Sequence, residues 1–241
     1  MKIDAGNNLH FQALNEQIRA AGDRAIEIEN CLGQRYIASG LADKEITIHG
    51  TPGNALGAYL NGADIAVYGN AQDATGDTMN GGAITVHGSS GDATGYAMRG
   101  GCIYVKGDAG YRAGIHMKAY KDKLPVLVIG GRAGSFLGEY QAGGLIIVLG
   151  LGGDGSAPVG HFCATGMHGG KIFLRCETLP KGLGKQVAVA RATPEDLQEI
   201  LPYLKGYCEA FGADVQEILG DSFYLLTPDT KNPYKQLYTS N

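Results

Sequence analysis

The stretch GYAMRGGCIYVKG, residues 95–107, places two adjacent glycines, Gly100 and Gly101, before an alternating apolar segment. Taken alone, glycines beside a strand can cradle a phosphate. The surrounding chain points elsewhere, because the same arrangement recurs. Gly50, Gly69, Gly88 and Gly107 are spaced 19 residues apart. Seven residues after each stands another glycine: Gly57, Gly76, Gly95 and Gly114. Twelve residues after the first three stand Gly62, Gly81 and Gly100. A phosphate loop would be singular, whereas a glycine set in register is corner chemistry in a repeat. The pattern continues at irregular steps to Gly130, Gly150 and Cys176, and backwards to Cys31, so about seven copies run between the two cysteines.

The segments DIAVYG, AITVHG and CIYVKG define columns. One reads Ile46, Ile65, Ile84, Ile103, Val126, Ile146, Ile172; two residues on, another reads Ile48, Val67, Val86, Val105, Val128, Val148, Leu174. Period-2 apolar columns mark one strand face turned inward. A third column, Leu60, Met79, Met98, Met117, Gln141, Met167, predicts a second buried strand, with methionine filling irregular gaps in a core. One strand per copy cannot bury a core alone, so successive copies must stack. The expected fold is all-β: a right-handed parallel β-helix of about seven coils with a repeat of about 19 residues and short flanking α-helices. Residues 1–30 read as an N-terminal capping segment, 31–178 as the β-helix, and 179–241 as a C-terminal helical segment and tail packing on it.

Composition excludes several classes. The chain has 241 residues, 39 of them glycine, without the three-residue period of collagen. The net charge is −4, which gives no nucleic-acid footprint. The N-terminus lacks the apolar stretch of a signal peptide, and no apolar run reaches the length of about 18 residues that a membrane span needs. Five scattered cysteines with no C-x-x-C fit free thiols in a reducing cytoplasm.

Both flanks carry helix signals. Phe11, Leu14 and Ile18 fall at helical spacing, with Gly22 as the expected C-cap. Thr193 is an N-cap candidate, with Pro194 and acids in the first turn; Pro202 predicts a break or kink. LLTPDTKNPYKQLYTSN, from Leu225 onwards, reads as an extended tail.

The residues between the inward columns are Thr47, Ala66, Thr85, Tyr104, Leu127, Ile147 and Phe173. They begin small or polar and become apolar, and a strand apolar on both faces is buried on both. Either the chain's own C-terminal helices or a partner protein covers that half. Other candidates carry weaker signals. The glycine-rich LGLGGDGSAPVGHF follows a strand as a dinucleotide loop does, but no helix pattern follows it. His161, Cys163, His168 and Cys176 match no zinc spacing. His49 and His87 share a column two coils apart, about 9.6 Å, too far to share an ion. Arg99 and Lys118 share a column one coil apart, with His168 further along: either a solvated surface or a patch for an anion or acidic partner. Asn54, Asp73 and Asp92 share one column: either turn chemistry or a carboxylate pair as in β-helical polysaccharide lyases and hydrolases.

The segments GNALGAYLNGADIAVYGNAQDATGDTMNGGAITVHG, GYAMRGGCIYVKGDAGYRAGIHMK, FLGEYQAGGLIIVLGL and ATGMHGG resemble the last domain of the glutamate synthase large chain, the GXGXG domain, in its stand-alone form. The resemblance runs from about residue 30 to 171, with NPYKQLY near the end also fitting. The C component of formylmethanofuran dehydrogenase shares the repeat. The resemblance implies a right-handed parallel β-helix acting as a non-catalytic assembly subunit of a glutamate synthase-like oxidoreductase complex in nitrogen metabolism. It implies partners, an amidotransferase and a flavin-containing synthase chain, that carry the FMN and the iron–sulfur cluster. No functional residue carries over: residue 2 is Lys2 rather than a nucleophilic cysteine, and no cysteine cluster suits iron–sulfur. No catalytic, cofactor-binding or metal residue is therefore expected in this chain. The alternatives are a component of a formylmethanofuran dehydrogenase-type complex and a β-helix enzyme with its own groove site.

Overall fold

The inward columns become a ladder of neighbouring strands in the computed structural model, which describes residues 1–6 and 8–229. Strands β1 (Lys2–Asp4), β2 (Ala25–Leu32), β3 (Glu45–Thr51), β4 (Asn61–Tyr68), β5 (Gly81–Val86), β6 (Gly101–Val105), β7 (Pro125–Ile129), β8 (Ala142–Val148) and β9 (Gly169–Arg175) follow one another in the sheet in chain order. Each pairs with the next in parallel. Two more strands complete it: β11 (Phe223–Pro228) lies antiparallel to β9, and β10 (Val187–Arg191) antiparallel to β11. The helices are α1 (Phe11–Ala20), α2 (Pro194–Phe211) and α3 (Val215–Leu219).

The expected all-β, right-handed parallel β-helix of about seven coils is thereby corrected. The described residues form one open, eleven-stranded, mostly parallel sheet. The second strand expected through Leu60, Met79 and Met98 is not there. These residues end turns, and the turns alternate in handedness residue by residue, with φ of 57° at Ala74, 70° at Gly76 and 52° at Thr78. A strand cannot hold positive φ at every second residue. The turns still pair with one another. The Ala74 N–H donates to the Asp92 carbonyl at 2.8 Å, while the Gly76 N–H donates the other way to the Leu56 carbonyl at 2.8 Å. Their backbone polar groups are thus satisfied without a second sheet.

The main core lies between the sheet and these stacked connections. The column Leu60, Met79, Met98, Met117, Gln141 and Met167 is wholly buried, as a core stack requires. Gly57 shows why glycine recurs in the turns: its φ is +63°, and a Cβ there would stand 2.6 Å from Ile84 Cδ1.

The inward columns hold except at β7. Ile103 pairs with Leu127 and Val105 with Ile129, so Leu127 and Ile129 face the main core. Val126 and Val128, expected inside, face outward beneath α2. β7 is buried at all five positions, so no polar residue marks its outer side.

Helix α1 buries Leu14 and Ile18, but its C-cap is Ala21 in extended conformation rather than Gly22. Helix α2 opens with Thr193: the Asp196 N–H donates to Thr193 Oγ1 at 3.2 Å, and the Thr193 N–H donates to the Asp196 carboxylate at 2.9 Å. It runs unbroken through Pro202, which is exposed, so the carbonyl freed one turn earlier stays open to water. Gly212, with φ 70°, ends it. Of the stretch read as an extended tail, Leu225 to Pro228 belong to β11; residues 230–241, including NPYKQLY, lie outside the described residues.

Candidate functional site

The outward face of the sheet is divided. Over β7–β9 it is apolar, and α2 covers it: Val126, Val128, Ile147 and Phe173 pack with Ile200, Leu204 and Tyr207 into a second core. The Tyr207 hydroxyl donates to the Lys106 carbonyl at 3.3 Å. Gly130 is glycine because a Cβ would run into that hydroxyl. The chain itself therefore covers this apolar half, which removes the reading of a partner docked directly on these strands.

Over β2–β5 the outward residues are polar or small and partly exposed, and among the described residues no helix seals them. Parallel pairing sets equivalent residues side by side, and from β3 to the end of β5 it builds a row of rings. His49 and Tyr68 stack at 5.2 Å and 12°, Tyr68 and His87 at 4.3 Å and 14°. The edge of Phe211, the last residue of α2, meets His87 at 5.2 Å, and Phe211 meets Tyr207 at 4.8 Å. At the far end, His49 Nε2 lies 3.4 Å from Glu27 Oε1. The Lys2 ammonium lies 2.8 Å from Glu29 Oε1 and 3.7 Å from Glu27 Oε2.

Glu27, Glu29 and His49 are the one group among the described residues whose ligand atoms lie close enough, within 4.8 Å, to hold a metal ion. Lys2 already supplies a positive charge there. Its hydrogen bond to Glu29 raises the lysine's pKa and lowers the glutamate's. Burial, with a contribution from Lys106, lowers the pKa of His87, favouring its neutral form. The result is a row of stacked rings that ends in the ion-paired group of Lys2, Glu27 and Glu29, a surface suited to contact. Sequence reading paired His49 with His87 but missed Tyr68 between them, and it missed Lys2, Glu27 and Glu29 by treating residues 1–30 as a cap. The signal was present: Ile26 and Ile28 alternate with Glu27 and Glu29.

The remaining candidates disperse. His161, Cys163, His168 and Cys176 form no metal-holding group among the described residues. Cys163 is in the core, and burial pushes its thiol up to about 12. Cys31, also buried, is raised to about 11. These shifts and that of Tyr207, raised to about 12 beneath α2, come from burial rather than from a matched acid and base. The loop LGLGGDGSAPVGHF leads through turns to β9 without a helix. The Asp73 and Asp92 carboxylates accept backbone N–H bonds from Asp92 at 2.9 Å and Tyr111 at 2.8 Å, which is turn chemistry. No helix among the described residues is long and apolar enough to cross a membrane.

Comparison with known proteins places this architecture. Residues 6–228 match the family described as GXGXG motif. The uncharacterized protein MJ1350 of Methanocaldococcus jannaschii is 47% identical over 250 residues, covering 98% of this chain and 95% of that protein. Among solved structures, a chain of the formyltransferase/hydrolase complex (FhcABCD) from Methylorubrum extorquens, determined in complex with methylofuran, superimposes with a TM-score of 0.66. The match covers 87% of this chain and 75% of that one at 21% identity, a likeness of fold.

Proposed function

Since this chain belongs to the GXGXG motif family, we propose that it is a non-catalytic assembly subunit of a multi-chain enzyme complex, acting through contacts with separate catalytic chains. One observation carries the reading: most of the chain shares its fold with a chain solved inside a formyltransferase/hydrolase complex. That likeness favours a complex of the formylmethanofuran dehydrogenase type. The dispersed titratable groups and the polar, aromatic half-face agree with a contact surface. A glutamate synthase-like complex, with an amidotransferase, a flavin-containing synthase chain, FMN and an iron–sulfur cluster on the partners, is the second reading, and the GYAMRGG-type repeats favour it.

Affinity purification of the tagged full chain from its native cells, with mass spectrometry of what it retains, tests both. Co-purification of formyltransferase- or hydrolase-type chains is the expected result. Recovery of an amidotransferase with a flavin synthase chain would replace the first reading by the second. A partner-free monomer that turns over a substrate by itself would overturn the subunit role.

A further inference from the structure

We propose that the connection side of the molecule, opposite the sheet, carries a docking strip for an acidic segment of a partner protein, centred on Arg99, Lys118 and Lys123. Three backbone placements bring these cations together. The Arg99 N–H donates to the Met79 carbonyl at 2.8 Å, and the Lys118 N–H donates to the Met98 carbonyl at 3.0 Å. Arg99 and Lys118 therefore sit side by side on successive connections. Next to them the chain makes a tight hairpin, in which the N–H of Tyr120 donates to the carbonyl of Lys123 at 3.1 Å and the reverse bond measures 3.0 Å. The hairpin lays Lys123 against Gly100, whose Cβ, if present, would stand 3.0 Å from Lys123 Cβ. Met98 and Met117, each buried beside its cation, anchor the backbone and leave Arg99 and Lys118 exposed.

None of the three cations has an ion pair among the described residues. Glu139, on the neighbouring connection, is engaged by Arg112 at 3.4 Å and its side chain is only 13% exposed. Asp122, at the hairpin tip, leaves the strip net positive on a chain whose net charge is −4. Like charges held side by side repel, and a counter-charge from outside relieves that repulsion. Beside the strip, His116 stacks on Tyr140 at 5.3 Å and 13°, and Tyr96 meets His116 edge-on at 5.9 Å. Exposed tyrosine next to arginine is the composition of protein-binding hot spots. The chain's own residues 230–241 do not complement the strip, since they contain Lys231 and Lys235 and no acid. A short cationic strip on an acidic chain also suits a carboxylate-rich peptide better than the long phosphate track of a nucleic acid.

This inference deepens the subunit reading and rests on it for the identity of the acidic segment. Its test uses the isolated full chain, so its failure leaves the co-purification result untouched. Labelled hexaglutamate is titrated at low ionic strength with fluorescence anisotropy as readout. The triple variant R99E/K118E/K123E is expected to weaken binding about tenfold or more, and added salt to weaken it for the natural chain. The variant K181E/K185E, altered at exposed lysines elsewhere, is expected to bind as the natural chain does. If charge reversal disturbs folding, R99Q/K118Q/K123Q gives the same comparison with a smaller loss. Equal affinity for the natural chain and the triple variant would overturn the proposal. So would tighter binding of a labelled oligodeoxythymidylate of equal charge, or self-association that the triple variant abolishes while hexaglutamate fails to bind.

Discussion

The two halves of the sheet's outer face share one backbone ladder and differ in everything built on it. Over β7–β9 the outer residues are Val126, Val128, Ile147 and Phe173, and an 18-residue helix seals them from water. Over β3–β5 they are Thr47, Ala66 and Thr85, partly exposed, with the stacked rings of His49, Tyr68 and His87 beside them. The inner face does not change between the halves: isoleucine, valine and leucine line it from β2 to β9. Stability is thus supplied twice at one end and once at the other. The single-layered end is the one whose outer surface is left for contact.

The largest effects should separate the halves. Leu204→Ala empties part of the second core and is expected to cost about 2–5 kcal/mol in urea unfolding. Thr85→Ala, on the open half, is expected to stay within about 0.5 kcal/mol. Equal losses would mean that α2 does not seal its half as described.

The next pair tests the sameness of the inner face. Gly57 lies under the open half and Gly138 under the covered half, both with φ of +63°, and a Cβ would stand 2.6 Å from Ile84 Cδ1 and 2.7 Å from Ile172 Cδ1 respectively. Gly57→Ala and Gly138→Ala are each expected to cost about 1–3 kcal/mol, through strain and overpacking together. A neutral Gly57→Ala beside a costly Gly138→Ala would show that the inner face is looser at the open end.

The smallest effect is in the cap of α2. Hydrogen bonds from Thr193, the backbone one foremost, lower the pKa of Asp196. A carboxylate with a depressed folded pKa stabilises above its unfolded value, near 3.8, and that contribution fades as pH falls through the folded value. Asp196 is largely solvated, so its share is about 0.5 kcal/mol or less. Asp196→Asn is expected to lower thermal stability slightly at neutral pH and to converge with the natural chain in acid. A gap that persists unchanged in acid would show that the charge is not what matters there.

Much of this was legible in the chain because burial leaves a period. The inward columns at β3–β6, β8 and β9, the burial of the methionine column and the presence of α1 and α2 follow from spacing, but the cap expected at Gly22 and the break expected at Pro202 do not hold. The slip at β7 shows the limit. That strand is apolar at every position, so alternation carried no sign of which side was inside, and the hairpin before it broke the 19-residue count. Strands β1 and β2 flank helix α1, and β10 and β11 flank helices α2 and α3, so the repeat does not encode where these four strands join the sheet. The ring of Tyr68 went unread for a similar reason: its role appears only once His49 and His87 lie on either side of it.

By itself the sequence determined which residues are buried in the repeats and where the chain must turn, since apolar period and glycine spacing are local properties. Only the tertiary structure decided that the buried methionines sit on turns rather than a second strand, that the sheet ends in an antiparallel pair, and which half of its outer face is sealed. Those outcomes depend on contacts between segments such as Tyr207 and Lys106, 101 residues apart, where free energy is set by which surfaces meet rather than by either segment's own pattern.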